Sequence, residues 1–154
     1  MFHVERSLPV NPPGAAPLTR AEVWHGLLMK AETPVDFVPA ISSCEIAERG
    51  EGWLVRDVVL RGEAVRERVT YQPEHTVTFE RLSGSVLGTI VNEIVEDAEG
   101  TLSLRFAFDL EPEGIIPGSA EEADFAATMG SGYGAAVETT LATVRRLVAE
   151  GTLP

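Results

Sequence analysis

The sequence predicts an α+β domain in which a curved antiparallel sheet of about seven strands surrounds a long C-terminal helix. Three features carry this. From Ile41 to Leu110, six segments alternate apolar and polar residues with period two, each bounded by turn residues. Their connections are too short for parallel crossovers, so neighbours must pair antiparallel. Beyond residue 118 the spacing becomes three and four, in the stripe Phe125, Met129, Tyr133, Val137, Leu141, Val144 and Val148.

Residues 2–7 read as a short edge strand. The run from Pro9 to Pro17 holds too many prolines for a helix or a central strand and reads as an ordered surface loop. Thr19 with Glu22 forms a capping-box pattern. The helix it opens carries Val23, Trp24, Leu27, Leu28 and Ala31 on one face and stops before Pro34. Val35–Val38 reads as a second short helix ending before Pro39. The six strand segments fall near 42–49, 53–61, 64–72, 75–82, 86–96 and 101–110. Ser119 is then an N-cap. Glu121, Glu122 and Asp124 sit in the first turn, and Arg145 and Arg146 near the end, as the helix dipole favours.

The chain has 154 residues and 44% hydrophobic residues, which fits one domain with its own core spanning 1–154. Its net charge of −12 disfavours phosphate backbones and anionic lipid surfaces, so neither nucleic acid nor membrane is expected as a partner. The single cysteine, Cys44, excludes an internal disulfide and a multi-thiolate metal site. It shares a face with Ile46 and reads as a small packing residue. The first residues lack the basic start and apolar run of a signal peptide, and no stretch is long and apolar enough to span a bilayer. A cytoplasmic location is expected. The three histidines share no metal-ligand spacing, so neither metal nor cofactor is expected.

A curved sheet touching a helix along one line leaves space between them, and that space is the expected site. Polar residues on the apolar face are its candidates, because a buried charge needs a partner or a purpose. Glu67 lies between Val65 and Val69, on the face of Tyr71, and is a candidate general acid or base, with an ion pair to an inward arginine as the alternative. On the second strand either Arg56 or Asp57 faces inward; Arg56 could hold an enolate or carboxylate, or satisfy Glu67. On the fifth strand either Asn92 or Glu93 faces inward. Phe79 shares a face with His75, Val77 and Arg81, and Arg81 is expected to reach the rim. Phe106 lies on the apolar face of the last strand. Trp24 belongs to the buried stripe of the first helix, whereas its neighbour His25 is expected to be exposed. Trp24 and Trp53 are both placed near the cavity. The segment Met129-Gly-Ser-Gly-Tyr-Gly134 follows no strand and lacks a cation, so it is not a phosphate loop. Its glycines would let the helix bend or approach a ligand, to which Met129 offers an adaptable surface and Tyr133 a hydroxyl.

Several segments carry a family resemblance: Asn11-Pro-Pro-Gly14, Leu18-Thr-Arg-Ala-Glu-Val-Trp-His-Gly-Leu-Leu-Met-Lys-Ala31, Phe37-Val-Pro-Ala40, Cys44, Val65-Arg-Glu-Arg-Val69, Val77-Thr-Phe-Glu80 and the 104–108 run Leu-Arg-Phe-Ala-Phe. The chain resembles the START-like, polyketide-cyclase superfamily (SRPBCC), and within it looks like the AtaL-like family. The resemblance implies a helix-grip (START/Bet v-like) fold with a pocket, and it brings no catalytic signature. Relatives in that superfamily include cyclases and aromatases, lipid carriers, hormone receptors and co-chaperones, so fold alone does not choose among them.

The expected partner is a small, mostly apolar molecule, polyketide-like or aromatic, with a homodimer left open. One reading is a cofactor-independent cyclase, dehydratase or isomerase using Glu67, Tyr133 or Tyr71, the last also placed at the ligand, for proton transfer and Arg56 for an enolate oxygen. A second is a carrier or sensor that does no chemistry, and a third is a protein-interaction module of co-chaperone type.

Overall fold

A computed structural model describes residues 2–151, and for residues 130–134 the backbone alone. Its elements follow the expected order. Strand β1 (Phe2–Pro9) leads through the proline loop to helix α1 (Arg20–Glu32) and a 3-10 turn at Pro34–Asp36. Strands β2 (Ile41–Gly50), β3 (Trp53–Leu60), β4 (Glu63–Gln72), β5 (Thr76–Arg81), β6 (Val86–Glu96) and β7 (Leu102–Pro112) come next, and helix α2 (Ala120–Ala149) closes the chain.

All seven strands form one antiparallel sheet in the order β1-β7-β6-β5-β4-β3-β2. The meander from β2 to β7 needs only short turns. β1 returns to the far edge, with Leu8 opposite Leu104 and Val4 opposite Phe108. The other edge, β2, is largely exposed and carries Glu45, Glu48 and Arg49, charges that discourage edge-to-edge association. Gly88 on β6 has φ +135, and a Cβ there would lie 2.0 Å from the Asp109 carbonyl oxygen, so the close β6–β7 approach requires glycine.

The capping box forms as expected: the Glu22 N–H donates to Thr19 Oγ1 at 3.1 Å and the Thr19 N–H to Glu22 Oε1 at 2.9 Å. Asn11 explains part of its motif. Its amide donates to the Leu18 carbonyl at 3.0 Å and accepts from the Leu18 N–H at 2.7 Å, which clamps the proline loop at both ends. Arg145 of α2 donates to the Val10 and Ala16 carbonyls and ties the same loop to the C-terminal helix.

The core lies between the concave face and the two long helices. Leu54, Val69, Phe79, Phe106 and Leu110 come from the sheet, Val23 and Leu27 from α1, and Val137, Leu141 and Val144 from α2. This is the helix-grip architecture. His25, expected outside, is half-buried because α1 packs against both α2 and the sheet. Among the described residues no helix is long and apolar enough to cross a membrane.

The helices cross tightly at Gly26, where a Cβ would lie 2.4 Å from Val144 Cγ2. Ala improves an exposed helix by up to ~1 kcal/mol over Gly, but overpacking a core costs about 1–3 kcal/mol. Gly26→Ala is therefore expected to lower stability in urea denaturation, and the Gly26→Ala, Val144→Ala double variant to lose less than the sum of the two single losses.

Candidate functional site

A cavity of about 760 Å³ opens between the concave face and α2. Its walls are apolar: Phe37, Phe79, Ile90, Phe106, Phe108 and Met129 are among its lining residues. The exposed lining residues Pro39, Arg61, Glu63, Ser85, Thr128 and Ala135 mark its opening.

Strand register builds the polar part. Arg56 of β3 stands directly opposite Glu67 of β4, and Glu67 opposite Arg81 of β5. Because side chains alternate across a sheet, all three project to the concave face as one row of alternating charge. Arg56 donates to Glu67 Oε1 from Nε at 3.0 Å and from Nη2 at 2.7 Å. Arg81 Nε donates to Glu67 Oε2 at 3.4 Å. Arg56 Nη1 also donates to the carbonyls of Lys30 at 3.2 Å and Ala31 at 2.8 Å, at the C-terminal turn of α1. That helix end presents unpaired carbonyls, so a guanidinium there is favourable.

A second polar pair lies further along the face. Lys30 of α1 donates from Nζ to Asn92 Oδ1 of β6 at 2.8 Å. The Lys30 Nζ sits 4.8 Å from the Phe79 ring centre and 5.0 Å from that of Phe106. Burial, reinforced by the nearby Arg56 charge and opposed by Glu67, lowers the Lys30 pKa to about 7. Asn92 is also buried, and its Nδ2 has no hydrogen-bond partner among the described residues. Since Lys30 fixes the oxygen end of the amide, the orphaned N–H₂ is defined as well.

The expected site residues divide clearly. Arg56, Glu67, Phe79, Asn92, Phe106 and Met129 all line the cavity. The two open parities resolve in favour of Arg56 over Asp57 and Asn92 over Glu93. Glu93 points to the convex face and pairs with Arg105 at 3.2 Å, so it is no cavity residue. Trp53 shares the convex face with Val55 and Asp57 and stacks on the Arg68 guanidinium at 4.7 Å. Trp24 and Tyr71 meet edge to face at 6.4 Å and belong to core packing beside the cavity rather than to its lining. Burial raises the Tyr71 pKa to about 12, which suits a packed phenol better than a proton donor. Arg81 does not extend to solvent, because Glu67 holds it inward. The Tyr133 side chain lies outside the described residues. Cys44 is half-buried, with Sγ 3.7 Å from the Glu32 carbonyl oxygen, and burial pushes its thiol pKa up.

Lys30 is the site residue that sequence reasoning missed. It follows Leu27 by three positions and Val23 by seven, so helical spacing places it on the buried stripe. It is also the only lysine in the chain; all other side-chain cations, histidine aside, are arginines.

Residues 4–151 match the AtaL family, described as acetylaranotin biosynthesis cluster protein L. The chain belongs to the AtaL family. No curated protein matches it. Among solved structures it is similar to the ZhuI aromatase/cyclase from a Streptomyces strain, at 23% identity and a TM-score of 0.67, covering 96% of this chain and 95% of that one. The di-domain aromatase/cyclase BexL aligns over 94% of this chain and 49% of its own, at 18% identity and a TM-score of 0.65. Ara h 8.0201 aligns over 93% of this chain and 97% of its own, at 17% identity and a TM-score of 0.60. These likenesses establish a shared fold.

Two outcomes follow from the buried charges. Removing the carboxylate leaves two guanidiniums unpaired on the concave face, so Glu67→Ala should lose about 3–5 kcal/mol in chemical denaturation. The unfolded chain keeps the Lys30 proton up to pH 10.5, whereas the folded chain keeps it only to about pH 7. The unfolded state therefore binds more protons in that window, and Lys30 makes folding more favourable as pH rises through it, by up to about 1.4 kcal/mol per pH unit. A comparison of wild type with Lys30→Met from pH 6 to pH 10 should show the wild type gaining on the variant above pH 7.

Proposed function

We propose that the cavity binds a small, mostly apolar molecule of polyketide-like or aromatic type and promotes its cyclisation, dehydration or isomerisation. The observation that carries this is the composition of the cavity. Aromatic walls suit a ring system or a folded polyketone, and the buried polar groups of the lining are Arg56, Lys30 and the Asn92 amide, with Arg81 beside them, against one buried carboxylate, Glu67. Such a set favours a ligand with carbonyl oxygens that take on negative charge, as an enol or enolate does. Confinement would fold a flexible chain into a reactive shape, lowering the entropic part of the barrier. Two structural neighbours, ZhuI and BexL, are aromatase/cyclases, which supports the same reading by analogy of fold.

In this reading Arg56 stabilises developing oxyanion charge, and Asn92 orients a carbonyl. Glu67 holds Arg56 and Arg81 in place and is the candidate proton carrier of the row; Tyr133 remains a further candidate donor. The second reading is a carrier that holds the same kind of molecule unchanged. It is favoured by the engagement of both Glu67 oxygens with arginines, which leaves that carboxylate less available as a base.

Neither tryptophan lines the cavity, so calorimetry and thermal shift suit the binding test better than fluorescence quenching. Aromatic polyketones and polycyclic phenols are expected to bind saturably and to raise the melting temperature. The gain corresponds to about 2.7 kcal/mol at a free ligand concentration one hundred times Kd. Met129→Trp, which fills the cavity beside α2, should abolish binding while the protein stays folded. Turnover of a bound polyketone would support the enzyme, and binding without turnover the carrier. Absence of binding across the panel by a folded protein would overturn both.

A further inference from the structure

The only lysine of the chain is buried in the cavity, while the other Lys/Arg positions are all arginine. Lysine is ordinarily among the most exposed residues, and a buried lysine is ordinarily paired. Lys30 has no carboxylate within ion-pair distance among the described residues. Glu67 is the carboxylate of the row, and its two oxygens are taken by Arg56 and Arg81. The Phe79 and Phe106 rings surround the amine, and the cation that bears most strongly on it is Arg56, which repels a proton. Ring faces attract an ammonium, yet they replace little of the hydration lost on burial. An amine in such surroundings, apolar and next to another cation, is the arrangement that makes lysine nucleophilic.

The geometry next to it is also suited to carbonyl chemistry. Asn92 accepts from Lys30 through Oδ1, and its Nδ2 hydrogens have no partner among the described residues. A carbonyl whose carbon lies at Nζ would have its oxygen close to a buried donor awaiting an acceptor.

We propose that Lys30 is an amine nucleophile that forms an imine with a ketone of the bound molecule, with Asn92 donating to the carbonyl oxygen during addition. This rests on the reading of the cavity as a site for carbonyl-bearing molecules. The Nζ lone pair attacks the carbonyl carbon, and the C=O π pair moves to oxygen. A proton passes from nitrogen to that oxygen to give a carbinolamine. The carbinolamine takes up a proton and expels water, and the nitrogen lone pair closes the iminium. Loss of a proton from the adjacent carbon gives an enamine, whose carbon attacks a second carbonyl of the same chain: the C=O π pair moves to oxygen, which takes up a proton, and the nitrogen lone pair re-forms the iminium. Hydrolysis restores the ketone and the amine. The sequence is redox-neutral and consumes only the water it releases. The lowered pKa of Lys30 is consistent with a neutral amine near pH 7.

The chain tests this cleanly, because the α-amino group is the only other primary amine. The full chain is incubated at pH 7 with acetone and sodium cyanoborohydride, which reduces an imine to a stable secondary amine. Alkylation is then located by peptide mass mapping, in buffer and in unfolding concentrations of urea. Burial ordinarily protects a lysine, so a structural Lys30 reacts more slowly in the folded protein. A nucleophilic Lys30 reacts faster when folded, on the order of tenfold or more, because its unfolded counterpart is almost wholly protonated at pH 7. Lys30→Arg, which keeps a donor towards Asn92, should lose the adduct and leave α-amino labelling unchanged. Folded protein that alkylates Lys30 no faster than unfolded protein overturns the proposal. Ligand binding is scored separately: a silent Lys30 with intact binding removes only this inference, whereas an adduct without saturable binding removes the reading on which it rests.

Discussion

The Arg56 guanidinium is the joint on which the site depends. It reaches across from β3 to the last carbonyls of α1, and through Glu67 it engages β4 and then Arg81 of β5. Four elements therefore meet at one buried cation. A guanidinium suits the place because its planar fork can serve a carboxylate and two carbonyls at once, which an ammonium cannot do with comparable geometry. Removing water from it is affordable only because these acceptors replace the lost hydration. The end of α1 is thereby held over the concave face, and Lys30 is carried into the cavity with it.

The position of Lys30 then follows from helix packing. Gly26 lets α1 approach Val144 of α2, and one turn later the same face presents Lys30 towards the sheet. Asn92 meets it from β6. The apolar walls and the polar groups are thus set by different means. The walls come from strand alternation, and the polar groups from cross-strand register and the docking of one helix.

Strands were legible wherever one face was apolar, because period-two alternation and the turn residues are local signals. Alternation also placed Glu67 on the buried face, between Val65 and Val69. It could not orient β3 or β6, whose two faces are both rich in apolar residues. On β3, Trp53 and Arg56 have opposite parity, so no single orientation could bring both to the cavity. The row Arg56–Glu67–Arg81 decides it, and that row depends on the registers of two strand pairs, which separate strand patterns do not display. Trp24 was read correctly as part of a buried stripe, but a stripe does not say which of its members reach a void. Lys30 escapes a pattern reading because a charged residue on a helix is usually solvated; its helical spacing and its being the only lysine are the available signals.

The distribution of charge bears on what enters the cavity. The chain carries a net charge of −12, whereas the buried row on the concave face sets two arginines, Arg56 and Arg81, against one glutamate, Glu67. At a distance, the acidic exterior repels an anion, although salt screens this beyond roughly 10 Å. Inside, low-dielectric walls strengthen the attraction of the cations for negative charge on oxygen. A permanently charged ligand meets these effects in opposition. A neutral ketone avoids the first and benefits from the second only as it becomes an enolate or adds a nucleophile. In the proposed reaction the field would then be felt mainly by the transition state, which is the differential binding that accelerates a reaction rather than merely retaining its substrate.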